Sequence, residues 1–160
     1  MSQLDPRFTG AKAVATLDIT PEPGRAAIRL LRMACESPLS RAAAFEDLAL
    51  ALGPLGADAA MTRFDALLDL MLRHGRRALM RHGTSCSCVG SDEAVFAHFV
   101  TTAARGERED AVLIATLLVR ADVALPLADL ARDLGLSLMR AAGTAPKRPG
   151  NHPEAAATRH

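Results

Sequence analysis

Large apolar residues recur along most of the chain at spacings of three and four residues, which is the period of a helix with one buried face. The clearest stripe consists of Met61, Phe64, Leu67, Leu68 and Met71. Glycines, prolines and capping residues interrupt the stripes at intervals that suit helix ends. The predicted helices span residues 25–36, 41–52, 58–74, 91–105 and 111–119, and a last helix begins at Pro126. The chain is therefore predicted to be all-α, a compact bundle of five to six helices.

The longest apolar run, residues 111–119, is apolar on every side and partly β-branched. Periodicity alone does not distinguish a buried helix from a buried strand in such a run. Acidic residues before the run and Arg120 after it match the charge preference of a helix, and no partner strand is evident elsewhere in the sequence. We interpret the run as the central helix of the bundle.

The two ends of the chain lack this periodicity. Residues 1–24 contain several prolines and few large apolar side chains, which predicts a loosely ordered arm; within it, residues 13–15 and 17–19 are candidates for a short strand or a turn of helix. Residues 143–160 show no pattern and are predicted to be a disordered tail. A single helical domain is then expected over residues 25–142.

Composition narrows the classes of function. The chain has no Trp and no Tyr, which argues against the aromatic platforms that stack nucleic-acid bases. A net charge of +1 provides no general field for nucleic acid or a membrane surface. The first residues lack a secretory-signal pattern, and no apolar run reaches the ~20 residues that cross a bilayer, so we expect a cytoplasmic protein without membrane association. In that reducing compartment, three cysteines indicate metal binding or redox chemistry rather than a disulfide framework.

Soft metal-ligand side chains crowd together in one place, where His82, Cys86 and Cys88 lie within seven residues. Zinc binds Cys thiolate and His imidazole in a tetrahedral shell, so three such ligands need one more. His98, in the helix that follows, is the preferred fourth ligand. The other candidates for this position are His74, Cys35 and Asp92. The sequence therefore predicts a structural zinc site formed by His82, Cys86, Cys88 and His98.

The spacing His82-x₃-Cys86-x-Cys88 is similar to the His-x₃-Cys-x₂-Cys signature of zinc-containing anti-sigma factors. The string is one residue shorter than that signature. The family carries its ligands on a helix, whereas Gly83 and the neighbouring Ser and Thr residues favour a loop here. The likeness spans seven of 160 residues, and we assign no family from it.

The cysteine pair has two other interpretations, and the C-terminal helices have a separate one. Cys86 and Cys88 are separated by one residue, so they are able to close a small, strained disulfide of the kind that redox sensors use. Alternatively, both are small loop residues without a chemical task. Residues 127–137 resemble the first helix and turn of a helix-turn-helix, although too little chain follows for a recognition helix.

Arginines cluster around His74 and His82, at positions 73, 76, 77 and 81. No glycine-rich phosphate loop accompanies them, so we interpret the cluster as a solvated helix end. Catalysis also has little support, because the serines of the loop lack the Gly-x-Ser-x-Gly elbow. The sequence favours a small, non-enzymatic cytoplasmic regulatory or adaptor protein with a zinc site, acting through a protein partner or as a homo-oligomer. The alternatives are a DNA-binding transcriptional regulator and a thiol redox sensor.

Overall fold

The computed structural model describes residues 10–144, and within them the chain forms five α-helices and two short strands. The helices are α1 (Gly24–Glu36), α2 (Pro38–His74), α3 (Ser91–Ala104), α4 (Arg108–Leu118) and α5 (Ala124–Thr144), with a 3₁₀ turn (Ala121–Val123) before α5. The strands are β1 (Ala13–Thr16) and β2 (Cys88–Gly90). The prediction of a compact all-α fold is confirmed.

Helix α2 joins two segments that the sequence predicted as separate helices. Gly53 has a φ of 77° at the kink between them, a conformation that glycine adopts without steric cost. The N-cap is Ser37, whose hydroxyl accepts a hydrogen bond from the Ser40 amide, and Pro38 occupies a first-turn position where its missing N–H costs nothing. The helix therefore begins before residue 41, the predicted start.

Helix α5 lies at the centre of the bundle and packs against α2, α3 and α4. Its buried side chains include Leu127, Ala131, Leu134 and Leu138, which recur at spacings of three and four residues in the sequence.

The prediction that residues 111–119 form a helix rather than a strand is confirmed by α4, which ends at Leu118. The prediction that this helix is the central one is wrong. Helix α4 buries only Ala111 and Ala115 within its own span, whereas Leu113 and Leu117 are 64% and 70% exposed. The run is uniformly apolar, so no face was marked in the sequence. The fully buried positions carry small side chains, and the larger Val112, Ile114 and Leu118 pack against the core while partly exposed.

The two strands connect the N-terminal part of the described chain to the loop before α3. They pair antiparallel, with Ala13 opposite Gly90 and Thr16 opposite Cys88. The amide of Leu17 extends the pairing by donating to the Ser87 carbonyl at 2.9 Å. The segment predicted to be a loosely ordered arm therefore contains a strand bound to the loop. The rest of that arm, before residue 10, and the predicted tail beyond Thr144 lie outside the described residues.

Helix α5 runs through the residues that resemble a helix-turn-helix. Gly135, a residue of that segment, lies where α5 crosses α3: a Cβ added there would come within 2.8 Å of the Val100 carbonyl oxygen. The glycine thus permits close helix packing. A helix-turn-helix needs a turn between two helices. Ala124–Thr144 is one continuous helix, so it does not form this motif.

Several leucines remain on the surface of the described helices. Leu50 and Leu55 flank the kink in α2, and Leu72 lies near the C-terminal end of that helix, each more than 80% exposed. No helix among residues 10–144 has both the length and the apolar character needed to cross a bilayer. Leu72 borders a cleft between α2 and α4.

Candidate thiol and metal site

The loop between α2 and α3, residues 75–90, contains the cysteine pair and has defined ends. At its start, the Arg76 amide donates to the Leu118 carbonyl and the Arg120 amide donates to the His74 carbonyl, at 3.0 and 3.1 Å. At its end, β2 pairs with β1 and leads directly into α3. Both ends of the loop are thus fixed by backbone hydrogen bonds to other parts of the chain.

The middle of the loop is organised around Arg32, a buried residue of α1 that is 1% exposed. Its guanidinium donates from Nε and Nη2 to the two carboxylate oxygens of Glu93, both at 2.7 Å. It also donates to the carbonyls of Cys86 and Cys88, both at 2.6 Å, and to the Gly83 carbonyl at 3.3 Å. A guanidinium has five N–H groups, so every donor of Arg32 has an acceptor.

Glu93 completes this arrangement from the first turn of α3, where it is fully buried. Besides the bidentate pair with Arg32, its carboxylate accepts from the amides of His82 at 3.0 Å and Gly90 at 2.9 Å. Burial acts to raise the pKa of Glu93, but the hydrogen bonds from Arg32, Gly90 and His82 outweigh burial and hold the pKa below its ordinary value. Glu93, a residue of α3, therefore binds both α1 and the loop through its carboxylate.

The lowered pKa of Glu93 predicts a loss of stability in acid. A group whose pKa is depressed in the folded state stabilises the fold above its unfolded pKa, about 4.3 for Glu, and this contribution disappears as the pH falls through the folded value. We expect urea midpoints to decrease as the pH is lowered below about 4.3. The Glu93→Gln variant should show a shallower decrease, measured by circular dichroism. Equal slopes for the two proteins would contradict the assignment.

A second carboxylate fixes the first half of the loop. Asp92 is 5% exposed and accepts from both Nη atoms of Arg77 and from the Met80 amide at 2.8 Å. Other arginines of the cluster also bind within the chain: Arg73 to Asp69, Arg76 to the Thr116 carbonyl and Arg81 to the Cys35 carbonyl. The arginine cluster therefore serves mainly to hold the ends of α2 and the loop in place.

Cys86 and Cys88 are joined by a disulfide, with their Cα atoms 5.5 Å apart, and both are half-buried. The ring of His82 lies beside them, with Nδ1 3.6 Å from Cys88 Sγ and Nε2 2.8 Å from the Ala11 carbonyl oxygen. Because a carbonyl oxygen only accepts, the second contact places a proton on Nε2. Nδ1 then faces Cys88 Sγ together with two acceptor oxygens, the Cys88 carbonyl and Glu93 Oε2, both at 3.3 Å.

The potential ligand atoms of His82, Cys86 and Cys88 all lie within 4.8 Å of one another. In the part of the chain that the structure describes, no further His, Cys, Asp or Glu belongs to this group. His98 lies on α3 and lines a separate groove with Gly24 and Thr101. The structure brings together three of the four predicted ligands, and a site that includes His98 stays a prediction.

The alternative fourth ligands have other environments. Asp92 is occupied by Arg77 and the Met80 amide. Cys35 is a free cysteine on α1 whose side chain reaches solvent, although partial desolvation of its thiol raises the pKa. His74 contributes its carbonyl to the hydrogen bond at the start of the loop. None of these three joins the group around the cysteine pair in the described structure.

Sequence reasoning missed the two residues that hold the site together, Arg32 and Glu93. One signal for Arg32 was present, because the residue follows Ile28 by four positions and thus lies on the apolar face of α1. An arginine on such a face requires a buried acceptor. Glu93 gave no comparable signal, since an acid in the first turn of a helix is already explained by the helix dipole.

The site therefore consists of a cysteine pair, an adjacent imidazole and a buried ion pair that holds the loop backbone. No protein-family model matches the chain, and neither the curated proteins nor the solved structures include a match to it.

Proposed function

We propose that this chain is a small regulatory protein whose loop acts as a thiol–disulfide switch. The observation that carries the proposal is the bonded pair Cys86–Cys88, with His82 Nδ1 3.6 Å from Cys88 Sγ. A histidine in contact with a cysteine is the arrangement that generates a thiolate, and the thiolate is the form that reacts and that binds metal.

The reaction requires an external disulfide as oxidant. In the reduced chain, His82 Nδ1 accepts the Cys88 proton, and the Cys88 thiolate attacks one sulfur of that disulfide, forming a mixed disulfide and releasing one thiol. The Cys86 thiolate then attacks Cys88 Sγ, closes the Cys86–Cys88 bond and releases the second thiol. Two electrons and two protons pass from the cysteine pair to the external disulfide, and the reverse reaction uses an external dithiol.

The backbone around the cysteines supports a regulatory role. The carbonyls of both Cys86 and Cys88 accept hydrogen bonds from Arg32, so a change in the loop conformation on reduction acts directly on α1 and, through Glu93, on α3. A protein partner or a second copy of the chain would recognise the difference between the two states. We place the switch in the cytoplasm, where thiol buffers are able to reduce it.

The reduced loop is also the second candidate, a zinc-type site, and a specific observation favours it. Metal-binding histidines typically donate their other ring N–H to a carbonyl or carboxylate, and His82 Nε2 has such a partner in the Ala11 carbonyl at 2.8 Å. Two thiolates and one imidazole are a donor set that zinc prefers. Zinc binding requires the disulfide to be reduced first, so the loop is able to hold either the disulfide or a zinc ion, but not both.

Thiol trapping tests the switch directly. The full chain is equilibrated in glutathione buffers of graded potential, alkylated under denaturing conditions and weighed by mass spectrometry. We expect Cys86 and Cys88 to become alkylated together in one two-electron transition, because each thiol is lost only when the bond between them forms. Cys35 has no disulfide partner in the described chain and is the internal control: it should be either alkylated or bound to one glutathione, and the added mass distinguishes the two.

Two results would contradict the switch. One is that Cys86 and Cys88 are alkylated independently or in every buffer. The other is that they resist reduction throughout the range of glutathione potentials, as a permanent structural disulfide does.

A further inference from the structure

A cleft of about 440 Å³ lies between α1, α2, α4 and the first half of the loop. Its walls are largely apolar and include Leu31, Leu68, Met71, Leu79 and Leu118. Cavities that bind small molecules typically measure about 300–1,000 Å³ and combine apolar walls with a few polar groups. The cleft thus has the size and lining of a small-molecule site.

The charged groups that line the cleft are Arg77, Arg81 and Asp92. Asp92 is already paired with both Nη atoms of Arg77. Arg81 has a different environment, because its hydrogen bond within the described chain is a single contact from Nη2 to the Cys35 carbonyl at 2.7 Å. Its other N–H groups are available to an anion. The Cys35 thiol adds no competing negative charge, since burial raises its pKa.

Two exposed leucines extend the apolar surface at the edge of the cleft. Leu72 on α2 is 83% exposed and Leu117 on α4 is 70% exposed, and both belong to the lining. Both side chains expose apolar surface to water. An apolar chain bound in the cleft would bury this surface, which favours binding. The cleft therefore offers apolar contact along its walls and a guanidinium beside them.

We propose that this cleft binds a single-chain amphiphile with a carboxylate head, its apolar chain between Leu68, Met71 and Leu118 and its carboxylate on Arg81. Charge complementarity supports this occupant, because Arg81 has no carboxylate partner within the lining, and Glu36, which lies outside the lining, interacts with Arg81 electrostatically without forming an ion pair in the described structure. A carboxylate is also a group that a guanidinium binds in bidentate geometry. The inference is independent of the redox chemistry of the cysteine pair.

Dodecanoate, used below the concentration at which it forms micelles, is the probe for this site. Isothermal titration calorimetry of the full oxidised chain should show saturable binding of one dodecanoate per chain. Dodecanol, which lacks the charge, should bind about tenfold more weakly, as should dodecanoate to the Arg81→Gln variant. Leu72→Glu places a like charge at the edge of the cleft and should weaken dodecanoate binding at least about tenfold.

Leu50→Glu is the matched control, because Leu50 is an equally exposed leucine of α2 outside the cleft. It should leave dodecanoate binding unchanged. Backbone amide shifts on titration should concentrate in residues 71–81 and 117–118. Non-saturable binding, equal affinity for dodecanol and dodecanoate, or equal losses in the two glutamate variants would overturn the proposal.

Discussion

Replacing Arg32 with methionine is expected to lower the free energy of unfolding by about 3–5 kcal/mol, the usual cost of removing one partner of a buried ion pair. The substitution leaves the Glu93 carboxylate buried without its cation. It also removes the donors that the Gly83, Cys86 and Cys88 carbonyls use. Typical domains have about 5–15 kcal/mol of total stability, so this loss is a large share of it. Urea denaturation followed by circular dichroism measures the effect.

Two further variants separate the ion pair from general effects of the substitution. Arg29 lies on the exposed side of the same helix, and Arg29→Met should change stability by less than about 0.5 kcal/mol. The double variant Arg32→Met/Glu93→Leu removes the unpaired charge and should recover part of the loss.

If Arg32→Met does not fold, the Glu93→Gln variant provides the same test at lower cost. It keeps the shape of the side chain and one acceptor oxygen but removes the charge, with an expected loss of at least about 1–3 kcal/mol. An Arg32→Met protein as stable as Arg29→Met would show that the ion pair does not hold the loop.

The reduced chain is expected to bind about one zinc ion, and the oxidised chain none, because the disulfide removes both thiolates. Outer-shell partners alone change metal affinity by about 10–100-fold. The loss of a ligand in Cys88→Ser should therefore cost more than about a hundredfold, measured by competition with a chromogenic chelator. Cys35→Ser is the control and should retain full affinity, since Cys35 is outside the group of ligand atoms.

The same measurement decides the role of His98. Because His98 lines a different groove from the cysteine pair, the geometry predicts that His98→Ala leaves zinc affinity unchanged. His82→Ala should reduce affinity as strongly as the cysteine variant. A large loss in His98→Ala would mean that zinc draws α3 into a different arrangement and that the four-ligand site predicted from the sequence is correct.

The helices with one apolar face were predictable, because spacing and capping act within one or two turns. Phe64 and Leu67 are buried on the predicted face of α2, and α3 begins at Ser91 as expected. Helix α4 shows the limit of this reasoning: its apolar residues surround the helix, so the face that packs is determined by α5 and not by its own pattern.

The candidate site was predictable only as a group of nearby residues. His82, Cys86 and Cys88 are close in sequence, and they are close in the structure. The residues that hold them are distant in sequence: Arg32 and Glu93 are separated by 61 positions. The pairing of β1 with β2 is equally non-local. Such contacts depend on how helices pack, which hydrophobic spacing does not specify.

The proposed switch and the proposed zinc site together require one loop to alternate between a disulfide and a metal-binding dithiol. The most direct measurement adds oxidised glutathione to the reduced, zinc-loaded chain while zinc release and free thiols are recorded together. We predict that one zinc ion is released for every two thiols lost, with Cys86 and Cys88 recovered as a disulfide by mass spectrometry. If both thiols are lost while zinc stays bound, or the reduced chain binds no zinc, then the loop is not the redox-controlled metal site described here.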